Sequence, residues 1–338
     1  SLHLQSGDES FALSGSGASS YLDIDGLLAA AKETDCDSVH PGYGFLSESA
    51  EFARRCAEVG VNFVGPSVEA LELFGDKARA KALAHAHSVP VVPGSEGAVT
   101  AEQAGEFFES LPQGAPMLIK AIAGGGGRGM RIVESADEIS QAHERCQSEA
   151  RHAFGSDDVY VERLIPRARH VEVQIVGDGS GAVSHIGERE CSVQRRHQKL
   201  VEIAPSPSIT PEVREAVTAA AIRLAQAVNF RSLGTFEFLV DESNDSDFFF
   251  IETNARLQVE HTVTEEVSGI DLVQAQLRIA GGDTLEGLQL EQASIPSLRG
   301  YAIQARVNTE TIDPDGNVRP TGGELDSFHL PSGPGIRV

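Results

Sequence analysis

The stretch Ile251-Glu-Thr-Asn-Ala-Arg-Leu-Gln-Val-Glu-His261 constrains this chain most. Read as an extended strand, its side chains alternate between two faces. Glu252, Asn254, Arg256, Gln258 and Glu260 then share one face, and Thr253, Ala255, Leu257 and Val259 take the other. Two carboxylates, two amides and a guanidinium on one edge are costly to bury unless each charge meets a partner. A cation between the acids and an anion on the arginine would supply those partners. The competing reading is a solvated edge strand, but a merely wet face would also draw Lys, Ser and Thr.

The residues before it sharpen the case. Gly234 to Val240 alternates as a strand, Asp241 to Asp247 is a polar turn, and Phe248 to Glu252 is the return strand. Folding this hairpin about its turn places Glu237 opposite Glu252, with Cβ atoms about 5 Å apart. Like charges facing each other need something positive between them. Carboxylate and amide oxygens suit a hard cation that keeps waters and phosphate oxygens in its shell. Glu237, Glu252 and Asn254 therefore read as a Mg²⁺ site that awaits a nucleotide.

A length of 338 residues suffices for two or three domains with proper cores. The balance of 27 bases against 50 acids, 27 − 50 = −23, argues against nucleic acid and anionic membranes as partners. Only five bases are lysines: Lys32, Lys77, Lys81, Lys120 and Lys199. A lysine retained in such a chain is expected to have a reason. The four cysteines lack the paired spacing of a disulfide framework or a zinc site. No apolar run approaches membrane length and no signal peptide is seen, so a cytoplasmic location is expected.

In chain order, a helix over 23–36 precedes the glycine-rich turn His40-Pro-Gly-Tyr-Gly-Phe-Leu-Ser47. Ser47 is read as the N-cap of a helix reaching Gly60. A short strand over 61–66 and helices from Ser67 and from Asp76 complete a pattern of parallel α/β layering. A second unit follows, with a helix over 100–110, strands over 117–121 and 131–133, and a helix over 136–154. Between its strands lies Gly124-Gly-Gly-Gly-Arg-Gly-Met130. Its GxGxxG spacing alone is weak, since a dinucleotide fold needs a helix next and a strand pattern follows instead. The better reading is a hairpin loop whose backbone N–H groups wrap phosphate, with Lys120 at the strand end meeting the same phosphates. A plain flexible linker is the alternative.

Strands over 158–165 and 169–176 come next, the second carrying His170, Glu172 and Gln174 on one face. The strand over 182–190 leads into Cys191-Ser-Val-Gln-Arg-Arg-His-Gln-Lys199, whose crowded cations repel one another unless an anion holds them. An anion site around Lys199 is preferred here to a solvated basic run. Helices over 211–228 and 270–280 flank the hairpin stretch. A late strand over 301–308 places Arg306 beside Gln304 and Asn308, where spacing alone reads it as a surface residue.

Taken together, HPGYGFLSE (40–48), GDK (75–77), KAIAGGGGRGM (120–130), RHVEVQI (169–175), ERECSVQRRHQK (188–199), GTFEF (234–238) and ETNARLQVEH (252–261) resemble the biotin carboxylase component of biotin-dependent carboxylases, within the ATP-grasp superfamily. The resemblance implies a chain truncated at both ends and a fold class of α/β and α+β. This is an ATP-grasp fold with an N-terminal parallel α/β layer, a central lid and a C-terminal antiparallel-sheet domain. Its expected divisions are 1–75, 76–285 with the lid at about 92–164, and 286–338. It also implies ATP with Mg²⁺ or Mn²⁺, and biotin as a substrate carried on a biotin carboxyl carrier. A carboxyltransferase component and a homodimer are the other implied partners.

By the same resemblance, Lys77 and Lys120 bind the ATP phosphates and Gly124, Gly125, Gly126 and Gly127 close over them. Glu162, Arg163 and Leu164 lie at the adenine, and His170, Gln194 and His197 line the nucleotide pocket. Glu237, Glu252 and Asn254 hold the metal. Arg256, Lys199, Gln258 and the Val259 N–H hold bicarbonate. Glu260 is the base and Arg306 steadies the enolate of biotin. Two alternatives stay open: another ATP-grasp ligase of the carbamoyl-phosphate synthetase kind, and a nucleotide-binding module without turnover.

Overall fold

The computed structural model describes residues 6–122, 129–195, 198–243 and 247–338. They form two compact units, 1–304 and 305–338.

The first unit begins with the helix Ile24–Glu33, capped by Asp23, then β1 (Ser38–Val39), the helix Ala50–Glu58 and β2 (Asn62–Phe63). β1 and β2 pair in parallel, as the layered pattern requires. Ser49, not Ser47, caps the Ala50–Glu58 helix by accepting from the Phe52 N–H. Ser47 is buried in the preceding turn instead. Helices Val68–Gly75 and Lys77–Ala86 follow, the second held at its start by Asp76, whose carboxylate accepts from two backbone N–H groups.

A three-stranded sheet forms the next layer, with β3 (Met117–Ala121) between β4 (Met130–Val133) and β5 (Val159–Arg163). Helices Ala101–Ser110 and Ile139–Phe154 flank it in sequence, and Met117, Ile119, Val133, Val159 and Val161 form its own core.

The main sheet is antiparallel throughout its paired core. Its strands are β6 (Ala168–Asp178), β7 (Val183–Arg195), β8 (Gln198–Ala204), β9 (Arg231–Asp241), β10 (Phe248–Asn254) and β11 (Ala302–Ala305), in the order β10-β9-β6-β7-β8-β11. One face presents Val171, Val173, Phe236, Phe238 and Phe250 to a core shared with the helix Pro211–Gln226 and with Phe74. Period-2 alternation then turns Glu172, Gln174, Thr235 and Glu237 to the other face. That face carries the chemistry.

The register of β9 and β10 depends on a bulge. Phe250 pairs with Phe238, but Glu252 pairs with Glu237, so Ile251 is the extra residue. A one-residue slip exchanges the faces of a strand. Phe248 and Phe250 therefore pack in the core while Glu252 and Asn254 emerge beside Glu237. The strand expected to run from 251 to 261 ends at Asn254. Residues 255–260 turn away from the sheet, and a helix the alternation concealed, His261–Ser268, begins directly after Glu260. The helix Leu272–Ala280 packs Leu272 and Ile279 against Leu233 and Val176. The expected basic run is likewise part of a hairpin, split between β7 and β8.

The second unit, by itself, holds a short antiparallel hairpin of β12 (Glu310–Ile312) and β13 (Val318–Pro320).

Candidate active site

The polar face of the main sheet is a chain of paired charges centred on Lys199. Its ammonium donates to Glu237 at 2.9 Å, to Glu260 at 2.8 Å and also to Glu172. All three carboxylates are almost fully buried, at 0–2 % exposure. Burial alone would lower the Lys199 pKa, but Glu172 and Glu237 outweigh it and hold the ammonium well above its ordinary value. The ammonium here is permanently charged. The anion expected around Lys199 is thus, in this structure, three of the protein's own carboxylates.

The neighbours complete the balance. Arg189, wholly buried on β7, pairs with Glu172 and donates to Gln174 at 2.8 Å, Thr264 at 2.9 Å and Thr235 at 3.1 Å. His170 pairs with Glu237 through Nε2, and its Nδ1 lies 2.7 Å from the Gln194 amide nitrogen. Burial pushes the His170 pKa down, yet the Glu237 carboxylate prevails and holds it above the usual histidine value. Burial would raise Glu237, but Lys199 and His170 hold its carboxyl well below the usual range. Glu237 is therefore a carboxylate at any neutral pH.

From Glu237 the network runs along the turn after β10. The Asn254 amide donates to Glu237 at 2.6 Å, Arg256 Nη2 to Asn254 at 3.1 Å, and Arg256 Nη1 to Gln258 Oε1 at 3.1 Å. Asn254, Arg256, Gln258 and Glu260 thus meet in one chamber although only the first lies on the strand. The convergence comes from the turn rather than from alternation. Gln258 Nε2 is buried and has no partner among the described residues. An orphaned buried donor beside a guanidinium calls for an acceptor, and a small anion fits.

A cavity opens alongside. Of the residues expected at a nucleotide, Lys77, Lys120, Glu162, Arg163, Leu164, His170 and Gln194 line it, with Glu237 and Glu252. Lys77 lies 3.5 Å from Glu252. The Glu162 carboxylate is taken by Lys120 and by Lys81 at 3.3 Å, which keep it ionised below the usual range although burial opposes them. Leu164 N–H donates to Pro116 O at 2.9 Å. Glu237 and Glu252 face each other across the bulged pair, each held by a lysine, and their oxygens with Asn254 Oδ1 suit a hard divalent cation. Gly124, Gly125, Gly126, Gly127 and His197 lie outside the described residues. Val259 sits in the turn before Glu260, and Arg306 belongs to the second unit.

Three partners escaped the sequence reading. Lys81 was announced only by lysine scarcity, and it also sits 5.1 Å over the Tyr160 ring. Arg189 shares its strand with Glu188 and Glu190, and no pattern of spacing tells an inward arginine from an outward one. Glu48 binds Arg256 across more than two hundred residues.

The fold and this site define an ATP-grasp enzyme class, and comparison with known proteins narrows it. Residues 1–71 match the family described as "Biotin carboxylase, N-terminal domain", and residues 76–288 match "Carbamoyl-phosphate synthase L chain, ATP binding domain". The whole chain is 48% identical to the biotin carboxylase of Nostoc sp. and spans 74% of it. It is also 48% identical to the pyruvate carboxylase of Bacillus subtilis, of which it spans only 29%. Among solved structures, biotin carboxylase from Campylobacter jejuni, in a β,γ-ATP complex, matches with a TM-score of 0.90 at 42% identity, over 98% of this chain and 72% of that one. The biotin carboxylase domain dimer of Hydrogenobacter thermophilus 2-oxoglutarate carboxylase, with MgADP, ADP and bicarbonate, matches at 0.89 and 41%, over 98% of this chain and 71% of that one. The chain belongs to the biotin carboxylase family. Among the described residues no helix is long and apolar enough to cross a membrane.

Proposed function

We propose that this chain carboxylates biotin on a carrier, using bicarbonate and ATP, through carboxyphosphate. The observation that carries the reading is the buried, unpartnered Gln258 Nε2 beside Arg256, in a network that runs through Asn254 and Glu237 to the Lys199–Glu260 pair. Those donors suit a small planar anion, and they set it beside a carboxylate.

Bicarbonate is a poor nucleophile until a positioned base takes its proton, and Glu260 is that base. Deprotonated bicarbonate attacks the γ-phosphoryl group and ADP leaves. Lys77, Lys120 and the glycine loop 124–127 hold the phosphates, and Glu162, Arg163 and Leu164 with His170, Gln194 and His197 form the nucleotide pocket. Glu237, Glu252 and Asn254 would hold the Mg²⁺ or Mn²⁺ that neutralises developing phosphoryl charge. Carboxyphosphate separates into carbon dioxide and phosphate. The phosphate takes over the proton held by Glu260, which then takes the one on the biotin nitrogen; Arg306 steadies the enolate oxygen while that nitrogen attacks the carbon dioxide. Carboxybiotin then leaves on its carrier toward a carboxyltransferase, and the working form is a homodimer in the cytoplasm.

With free biotin supplied, ADP release should rise with bicarbonate concentration and saturate, and acid-labile carboxybiotin should accumulate with it. ADP release driven by ammonia instead of bicarbonate would overturn the proposal in favour of carbamoyl-phosphate chemistry.

A further inference from the structure

The turn His40–Ser47 has no task in the reaction described above, yet it is fixed at both ends. His40 Nδ1 accepts from the Gly42 N–H at 3.0 Å, and its Nε2 lies 2.9 Å from Gln276 Oε1. Gly42 and Phe45 both adopt positive φ, 71° and 48°, which lets the chain reverse tightly before Ser47. Ser47 is buried and its N–H donates to Gly44 O at 2.9 Å. Ser49 then caps the helix Ala50–Glu58. Glu48 lies between two fixed residues, so its side chain leaves the turn in a set direction.

That direction is the anion chamber. Glu48 Oε1 accepts from the Ala255 N–H at 3.2 Å and Oε2 accepts from Arg256 Nε at 2.8 Å. The carboxylate thus grips the chain where β10 gives way to the turn that carries Arg256 to Glu260. It also takes one edge of a guanidinium fork with five donors. The opposite edge, Nη1 and Nη2, meets the neutral acceptors Gln258 Oε1, Leu257 O and Asn254 Oδ1. Glu48 is the sole carboxylate paired with Arg256 among the described residues. Without it the fork would keep only neutral contacts and could rotate about its stem.

We propose that Glu48 is a positioning residue that aims Arg256: it holds the Nε edge so that the Nη edge faces the anion beside Gln258. This rests on the reading of the chamber as a bicarbonate site. It also gives the glycine-rich turn a function, as the strap through which the first layer of the chain sets the geometry of the anion site. The Glu48 side chain is 42% exposed, so the pair adds little to folding stability, and its removal should leave the fold intact.

The test is titration calorimetry of bicarbonate binding in the presence of MgADP. Glu48→Ala should weaken bicarbonate about tenfold while MgADP affinity stays within about twofold of wild type. Glu48→Gln should recover part of the loss, because its amide oxygen still accepts from Arg256. Unchanged bicarbonate affinity in Glu48→Ala overturns the positioning role alone, and so does equal weakening of both ligands. A wild-type chain that takes up MgADP but not bicarbonate overturns the proposed function and this inference with it.

Discussion

Replacing Glu260 with glutamine should lower bicarbonate-dependent ADP release by about 10²- to 10⁴-fold, the usual span for losing a general base, with ATP binding retained. The substitution keeps the shape of the side chain and removes only its basicity. Glu260 is 1 % exposed and sits at the start of the helix His261–Ser268, so glutamine can occupy the same place. Lys77 and Lys120, the lysines expected at the phosphates, are paired with Glu252 and Glu162 instead. Stopped turnover with unchanged nucleotide affinity separates the base from the binding residues. Full activity in the glutamine variant would remove Glu260 from the chemistry.

The second large effect is on stability. Lys199→Met leaves Glu172, Glu237 and Glu260 without the ammonium they share, and only Arg189 and His170 remain to balance three buried carboxylates. Stripping one partner from a buried ion pair costs about 3–5 kcal/mol, and a cation shared by three acids should lie at the upper end. Urea unfolding at neutral pH, without ligand, reads this directly. The deficit should shrink in acid, as uncompensated carboxylates in the variant take up protons and shed their charge. A loss below about 1 kcal/mol would mean that these contacts behave like exposed pairs, contrary to their burial.

Much of this site was legible in the sequence because polar residues on buried strands are expensive. The shared face of His170, Glu172 and Gln174 follows from strand periodicity, whereas the facing pair Glu237–Glu252 also needs the bulge at Ile251. Lysine scarcity carried information too, since Lys77, Lys81, Lys120 and Lys199 all reach the cavity or the charge network. Other features were hidden for physical reasons. Phe248-Phe249-Phe250-Ile251 is apolar throughout, so nothing in it marks the bulge that exchanges faces at Ile251. Polar spacing persists through Arg256, Gln258 and Glu260 by way of a turn, which made a strand of what is partly a helix start. The basic run 195–199 looked like an empty anion site because its compensating acids, on β6, β9 and the turn after β10, are distant in sequence. Glu48 was invisible for the same reason: a long-range ion pair leaves no local pattern.

The central claim is that bicarbonate itself attacks ATP in the chamber formed by Arg256, Gln258, Lys199 and Glu260. The most direct test is to run the reaction with biotin and bicarbonate labelled in all its oxygens with a heavy isotope, and to weigh the phosphate released. Attack by bicarbonate leaves one of its oxygens on phosphorus, so singly labelled phosphate should appear in step with ADP. Unlabelled phosphate, formed while biotin is being carboxylated, would contradict the account.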